Sequence, residues 1–255
     1  MCLCDRLPRT GSVVKGLGER ERCPMADTKT RWESAGATAW GSYLTEAHRR
    51  VLVRALGLAP GQGAAMDVGC EGGRWSRYLV ERFTPTICTD IDPAVLGICA
   101  ERLPQATCVL TGVADERFAV GDGELAMLVV FEVDPVVSAP WFSKEAARVL
   151  QTGGVLAFTH INPASLRGVA YRGLALVNRA RREREFYRGP SYASVRRSLV
   201  RAGLEMVHEE GLAWPPFTRE SDSRLIPAAV RLERALGLPR LVPVSPWVLG
   251  LARRV

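Results

Sequence analysis

Glycines and acids between positions 67 and 90 have the types and spacing that could bind a nucleoside. The segment AAMDVGCEGGRWSRYLVERF places Asp67 near the end of a predicted strand, followed by a turn with three glycines and then by a predicted helix. A glycine-rich turn lets a ligand approach the backbone closely and directs helix N–H groups at it. Asp90 ends the next predicted strand, 23 residues after Asp67, where a carboxylate can accept both hydroxyls of a ribose. The spacing therefore predicts a nucleoside site at the ends of two strands.

The three glycines are Gly69, Gly72 and Gly73. They do not follow the GxGxxG pattern of dinucleotide-binding proteins. That pattern would need glycines at positions 71 and 74, where Glu71 and Arg74 stand. A nicotinamide-dependent oxidoreductase is therefore disfavoured.

Short apolar segments alternate with helical ones from residue 64 onward, which is typical of a parallel sheet with crossover helices. Strands are predicted at 64–68, 86–89, 107–110, 125–131 and 155–159. Helices are predicted near 73–83, 93–103 and 141–150, and an amphipathic helix within 45–58 precedes the first strand. The strands are nearly all apolar, as expected when helices cover both faces of a sheet. A doubly wound α/β fold follows, which two further strands, 204–208 and 247–252, could close as an antiparallel edge pair.

Three segments in register resemble motifs of the class I S-adenosylmethionine-dependent methyltransferases, in particular the methyltransferase type 11-like small-molecule group. DVGCEGGRW resembles the first cofactor-binding motif, CTDIDP the ribose-binding turn, and ARVLQTGGVL the segment that leads into the fifth strand. The resemblance covers residues 64–163. It implies a Rossmann-like seven-stranded sheet, parallel except for an antiparallel last strand, with a helical insertion after the fifth strand and with S-adenosyl-L-methionine as cofactor.

The resemblance also implies cofactor contacts on the first strand and its turn. Asp67 would hold the amino group of the cofactor through water or backbone groups. Gly69 and Gly73 would let its methionine portion lie on the loop. Glu71 replaces the family's middle glycine, so it would either crowd the carboxylate end of the cofactor or, as we expect, point outward.

Further contacts are implied at the ends of the later strands. Asp90 would bind the ribose hydroxyls and Ile91 would pack on the adenine. The family's adenine-binding acid is replaced by Val113, with Asp115 two residues later, so backbone groups at Val113 and Ala114 would take its place. At the end of the fourth strand, Phe131 and Glu132 would face the methionine moiety and the methyl group.

Methyl transfer from a sulfonium is an in-line displacement at an activated carbon, so positioning and exclusion of water supply most of the acceleration. A general base helps when the acceptor is a hydroxyl. His160, just past the fifth strand, is the first candidate, and its alternative role is that of a hydrogen-bonded turn residue. Glu132 is the second candidate. His48 and His208 are expected to be surface or packing residues.

The 255 residues divide into a flexible extension, 1–24, and a single methyltransferase domain, 25–255, with its cofactor-binding core at 64–163. The acceptor-side helical elements are 164–190 and 212–242. In the second element, Trp214, Phe217 and Arg219 could line the pocket or simply pack. The chain lacks both an apolar run of about 18 residues and a secretory signal, so a cytoplasmic protein is expected. The seven cysteines show no metal-ligand spacing and are expected to be free thiols.

The formal net charge is +7, from 34 Lys and Arg against 27 Asp and Glu. Residues 165–255 hold 17 Arg and 8 acids, a net +9, so the remainder carries −2. The basic last third leaves open an RNA-directed methyltransferase or a noncatalytic nucleic-acid-binding protein. No aromatic and basic interleaving of the kind that binds single strands is present, so a small-molecule acceptor is favoured and no nucleic acid is expected. Peripheral contact with a membrane through the arginines of 164–190 stays open, as does the choice between monomer and homodimer.

Overall fold

A seven-stranded sheet forms the centre of the protein in the computed structural model, which describes residues 29–177 and 189–255. The strands are β1 (Ala64–Val68), β2 (Thr86–Asp90), β3 (Thr107–Leu110), β4 (Leu125–Val130), β5 (Leu150–Ile161), β6 (Leu204–Leu212) and β7 (Trp247–Arg254). Their order in the sheet is β3-β2-β1-β4-β5-β7-β6. β7 is antiparallel to both of its neighbours, while the remaining pairs are parallel. The predicted fold is therefore confirmed, with β7 inserted between β5 and β6.

Nine α-helices are described around this sheet. They are α1 (Arg31–Gly36), α2 (Ala39–Leu58), α3 (Ser76–Leu79), α4 (Pro93–Arg102), α5 (Asp134–Val137), α6 (Phe142–Val149), α7 (Leu166–Val177), α8 (Tyr192–Arg201) and α9 (Ile226–Ala235). Two short 3₁₀ helices, Leu238–Arg240 and Val242–Val244, precede β7. Among these described helices, none combines the length and the apolar character needed to cross a lipid bilayer.

Alternate side chains of the central strands enter two separate apolar cores. In β4, Leu128 and Val130 belong to one core, whereas Met127 and Val129 belong to the other. All four side chains are fully buried. This alternation explains the uninterrupted apolar sequence of β4, because both faces of the sheet are covered by helices.

Some predicted boundaries differ from the observed ones. β5 begins at Leu150 rather than at residue 155, because Leu150 already pairs with Leu125 of β4. The predicted helix 73–83 is reduced to the single turn of α3. Its start is displaced because Gly73, at φ +82°, has a left-handed conformation that an α-helix does not adopt. The extension 1–24 and residues 178–188 of the first acceptor-side element lie outside the described residues.

The order of the strands reverses between β1 and β4. In sheets of this kind, ligands bind outside the carboxyl ends of the strands at the point of reversal. The segments that follow β1, β2 and β4 meet there.

Candidate active site

A cavity of about 690 Å³ lies at the carboxyl ends of the central strands. Its walls include the turn after β1, the ends of β2 and β3, and the segment after β4. Because β2 and β4 flank β1 on opposite sides, Asp90 and Glu132 stand on opposite sides of the turn after β1. Both residues line the cavity, which therefore connects the predicted ribose site with the predicted reaction site.

The turn after β1 needs glycine at position 69. Gly69 has φ +69°, a conformation that glycine adopts at little cost. A Cβ added there would lie 2.5 Å from Cγ2 of Val133. The N–H groups of Gly69 and Cys70 donate to the carbonyl oxygen of Thr89 at 2.8 and 2.9 Å. The turn is thereby fixed to β2 with its backbone exposed to the cavity.

Glu71 is directed into the protein and not outward as expected. The residue is only 8% exposed, and its Oε1 accepts a hydrogen bond from the backbone N–H of Trp32 at 3.0 Å. Burial raises the pKa of Glu71. The carboxyl group thus holds α1 over the turn, and Trp32 becomes a wall of the cavity.

Asp90 lines the cavity at the end of β2. Its Oδ2 accepts from the N–H of Glu71 at 2.9 Å, and its Oδ1 accepts from the N–H of Asp92 at 3.0 Å. A carboxylate has about four acceptor positions, so both oxygens can still accept a ribose hydroxyl. Ile91, next to it, is 59% exposed and also lines the cavity, where an apolar side chain can cover a flat base.

The segment after β3 forms the next wall. Thr111, Gly112, Val113 and Asp115 line the cavity, whereas Ala114 is not among its lining residues. The Asp115 carboxylate accepts from the N–H of Gly112 at 2.6 Å, which fixes this loop. Val113 and Asp115 therefore stay candidates for contacts with the adenine, whereas no contact is supported at Ala114.

Asp67 and Gly73 lie beneath the turn and do not line the cavity. The Ser76 hydroxyl donates to Oδ2 of Asp67 at 2.6 Å. Burial raises the pKa of Asp67 to about 8, so this carboxyl is largely protonated at neutral pH. A Cβ at Gly73 would lie 2.8 Å from Cδ1 of Leu103. Both residues shape the turn from below, and direct contact with a ligand is not supported for either.

Glu132 is the acid at the opposite side of the cavity. Its backbone has φ +62°, a conformation that is uncommon for a residue with a side chain and often found at functional sites. Arg219 forms an ion pair with its carboxylate, and Nε2 of His48 lies 3.6 Å from Oε1. Burial by itself would raise the pKa of Glu132, but the positive charges of Arg219 and Arg74 outweigh it and hold the pKa below its usual value. The site therefore presents an ionised carboxylate at neutral pH.

His48 lies fully buried beside this acid. Its Nδ1 is 2.7 Å from the carbonyl oxygen of Leu44 and must donate to it, which leaves Nε2 to accept from the Thr159 hydroxyl at 2.8 Å. Burial lowers the pKa of His48, so the imidazole is neutral at pH 7. Phe131 packs edge-on against His48 and Trp75, with ring centroids 5.0 and 5.7 Å apart.

His160, the first candidate for a general base, does not reach the cavity. It is fully buried and absent from the lining residues. Its Nε2 lies 3.1 Å from the carbonyl oxygen of Pro190, and its Nδ1 lies 3.0 Å from Oδ1 of Asp134. These contacts support the alternative interpretation of His160 as a hydrogen-bonded structural residue, but it lies within β5 and not in the turn after it.

From the sequence, His48 was expected to be a surface or packing residue, and no partner was predicted for Arg219. His48 occupies the buried face of α2 with Leu44, Val51 and Ala55, and this helical spacing could have shown that it faces the sheet. Arg219 meets Glu132 only through the tertiary fold, since the two lie in distant segments of the chain. Phe217 packs against Trp40 with the two rings tilted and their centroids 5.3 Å apart, so it is a packing residue.

The chain resembles known proteins in both sequence and fold. Residues 66–158 match a family described as a methyltransferase domain. A protein of Synechocystis sp., described as an uncharacterized methyltransferase, is 30% identical over 112 residues, which are 43% of this chain and 52% of that protein. The chain thus spans about half the length of this relative.

Solved structures share the fold at low sequence identity. Geranyl diphosphate C-methyltransferase from Streptomyces coelicolor A3(2) has a TM-score of 0.57 and 16% identity over 92% of this chain and 88% of its own. The cyclase SpnF has a TM-score of 0.57 and 16% identity over 86% and 83% of the two chains. The match at residues 66–158 shows that this part of the chain is similar to a methyltransferase domain, and the sheet order and the position of the cavity agree with that similarity.

Proposed function

We propose that this chain is an S-adenosyl-L-methionine-dependent methyltransferase that transfers a methyl group to a small-molecule acceptor, with a hydroxyl oxygen as the favoured acceptor atom. The observation that carries the proposal is the continuous cavity that joins Asp90 to Glu132 past the exposed backbone of Gly69. Its volume of about 690 Å³ falls within the range of about 300–1,000 Å³ that is usual for small-molecule sites.

The residues along the cavity fit the cofactor. Asp90 retains acceptor positions for the ribose hydroxyls, Ile91 offers an apolar surface to the adenine, and Gly69 permits the close packing of the turn on Val133 that a Cβ would prevent. When bound there, the cofactor would supply a methyl group already activated on a sulfonium. The protein then has to orient the acceptor and to exclude water.

Glu132 is the residue best placed to act on the acceptor. Its carboxylate is ionised, lines the cavity and is held by Arg219. We infer that it accepts a hydrogen bond from the acceptor hydroxyl and takes its proton as the oxygen attacks the methyl carbon. Arg219 is a positioning residue in this account, since it acts through Glu132.

The walls near Glu132 favour a small, partly apolar acceptor. Trp32, Trp75 and Phe131 line this part of the cavity, and aromatic side chains offer broad apolar contact surface. The elements α7 and α9 follow β5 and β6 in the chain, and we propose that they cover the acceptor side.

Ion pairs in the last third of the chain disfavour a nucleic-acid acceptor. Arg196 pairs with Glu209 and Arg253 pairs with Glu205, while Arg219 is turned inward to Glu132. These arginines are therefore partly neutralised within the protein instead of forming an open basic surface.

The test is the formation of S-adenosylhomocysteine from S-adenosylmethionine with panels of hydroxylated, carboxylated and amino small molecules and with total RNA. The proposal expects turnover with a hydroxylated small molecule that falls sharply in Glu132→Gln. Turnover with RNA alone, lost at high salt, would establish the nucleic-acid alternative. Turnover with amines or carboxylates alone would refute the preference for a hydroxyl oxygen.

A further inference from the structure

Four cysteines meet in one buried cluster behind the turn after β1. Cys70 lies in that turn, Cys88 in β2, Cys99 in α4 and Cys108 in β3. Their exposed fractions are 1%, 0%, 0% and 4%. Four separate elements thus bring these thiols together, which is why their spacing in the sequence shows no metal-ligand pattern.

The sulfur atoms are close enough to share one ion. The Sγ atoms of Cys70, Cys88 and Cys99 all lie within 4.8 Å of one another. Tetrahedral zinc with thiolates at about 2.3 Å needs sulfur separations of about 3.8 Å, so an inward shift of about 0.6 Å by each sulfur is sufficient.

A fourth thiol stands beside these three. Cys108 is the direct partner of Cys88 in the register between β2 and β3, and its thiol contacts those of Cys88 and Cys99. Zinc in structural sites takes four ligands, commonly all cysteine. The cluster therefore offers the number and type of ligands of such a site.

The surroundings of the cluster are apolar. Leu96 is part of it, and Leu103 and Leu110 pack against it. Zinc binds the thiolate form of cysteine, so metal binding has to release the thiol protons to solvent.

We propose that Cys70, Cys88, Cys99 and Cys108 form a structural zinc site that fixes the cofactor-binding turn to β2, β3 and α4. Cys70 directly precedes Glu71, and Cys88 lies two residues before Asp90. Zinc at this position links the two segments that donate and accept the hydrogen bond between Glu71 and Asp90. Loss of the metal loosens the ribose side of the cavity.

The experiment has to separate these thiols from the three other cysteines of the chain. A variant with Cys2→Ser, Cys4→Ser and Cys23→Ser keeps only the cluster, and a second variant adds Cys99→Ala to it. Both are produced with zinc, freed of loosely bound metal by a weak chelator, and analysed for zinc per chain. After metal removal they are titrated with Co²⁺, for which thiolate ligands give intense sulfur-to-metal charge-transfer absorption.

We expect one zinc per chain and the cobalt absorption in the first variant, with at least a tenfold weaker metal affinity after Cys99→Ala. Should Cys99→Ala not fold, Cys108→Ala replaces it. A folded first variant that holds no zinc and gives no cobalt charge-transfer absorption would overturn the proposal, and so would equal metal binding by both variants. None of these readouts depends on methyl transfer.

Discussion

Arg219 forms an ion pair with Glu132 and at the same time lies over the ring of Trp32, 4.5 Å from its centroid. Its side chain is only 9% exposed. One guanidinium thus joins the last third of the chain, the end of β4 and the helix α1 at a single point beside the cavity. Arg219 belongs to the basic last third of the chain, and its positive charge orients the buried carboxylate of Glu132.

Glu132→Gln should lower kcat by about a hundredfold or more, because an amide cannot take the proton of the acceptor. The amide is similar in shape, so the packing against His48 is retained. The thermal shift produced by S-adenosylhomocysteine should stay close to that of the wild type. Unchanged kcat in this variant would remove Glu132 from the reaction.

Gly69→Ala should abolish cofactor binding, since the new Cβ would meet Val133 at 2.5 Å and the backbone would have to keep φ +69°. Gly57→Ala is the matched control, because Gly57 lies in α2 and a Cβ there meets nothing within 4 Å. That control should raise stability by up to about 1 kcal/mol. Calorimetric titration with S-adenosylhomocysteine measures both variants, and equal affinities would show that the turn does not hold the cofactor.

Asp67→Asn should stabilise the protein increasingly as pH rises. Burial raises the pKa of Asp67 from 3.8 to about 8, so the folded state binds more protons than the unfolded state between these values. Wild-type stability therefore loses this contribution as pH increases from about 4 to about 8, while Asn, which does not titrate, can still accept from Ser76. Melting temperatures at pH 5, 6, 7 and 8 should show a widening gap in favour of Asp67→Asn, and a constant gap would contradict the raised pKa.

Arg219→Met should destabilise the protein by about 3 kcal/mol, because it leaves Glu132 buried without its partner. The double variant with Glu132→Gln should recover much of this loss, since no charge is then left unpaired. Urea denaturation of the wild type, both single variants and the double variant gives the coupling free energy between the two side chains. Additive effects would mean that the ion pair contributes nothing to stability.

The fold was predictable because its signals are local. Apolar runs such as that of β4 and the turn at Gly69 carry their information within a few residues, and the strand at 64–68 was predicted with its observed bounds. The position of β7 between β5 and β6 was harder to predict, since it depends on pairing between segments far apart in the sequence.

The site was only partly predictable, for the same reason. Asp90 ends a strand and Glu132 lies just after one, so their place at the carboxyl edge of the sheet could be inferred from the sequence. His160 follows the predicted strand 155–159, but the observed strand β5 continues through it to Ile161. The imidazole is therefore kept inside the protein. The pairing of Glu132 with Arg219 and the meeting of four cysteines exist only once the chain has folded.

The central claim is that Asp90 anchors a nucleoside-containing cofactor at the end of β2. S-adenosylhomocysteine at about 100 times its Kd should raise the melting temperature of the wild type by about 5–10 °C. The surface variant Glu46→Gln should show the same rise, and Asp90→Ala should show none. Equal stabilisation of the wild type and Asp90→Ala, or no stabilisation of the wild type, would contradict the account.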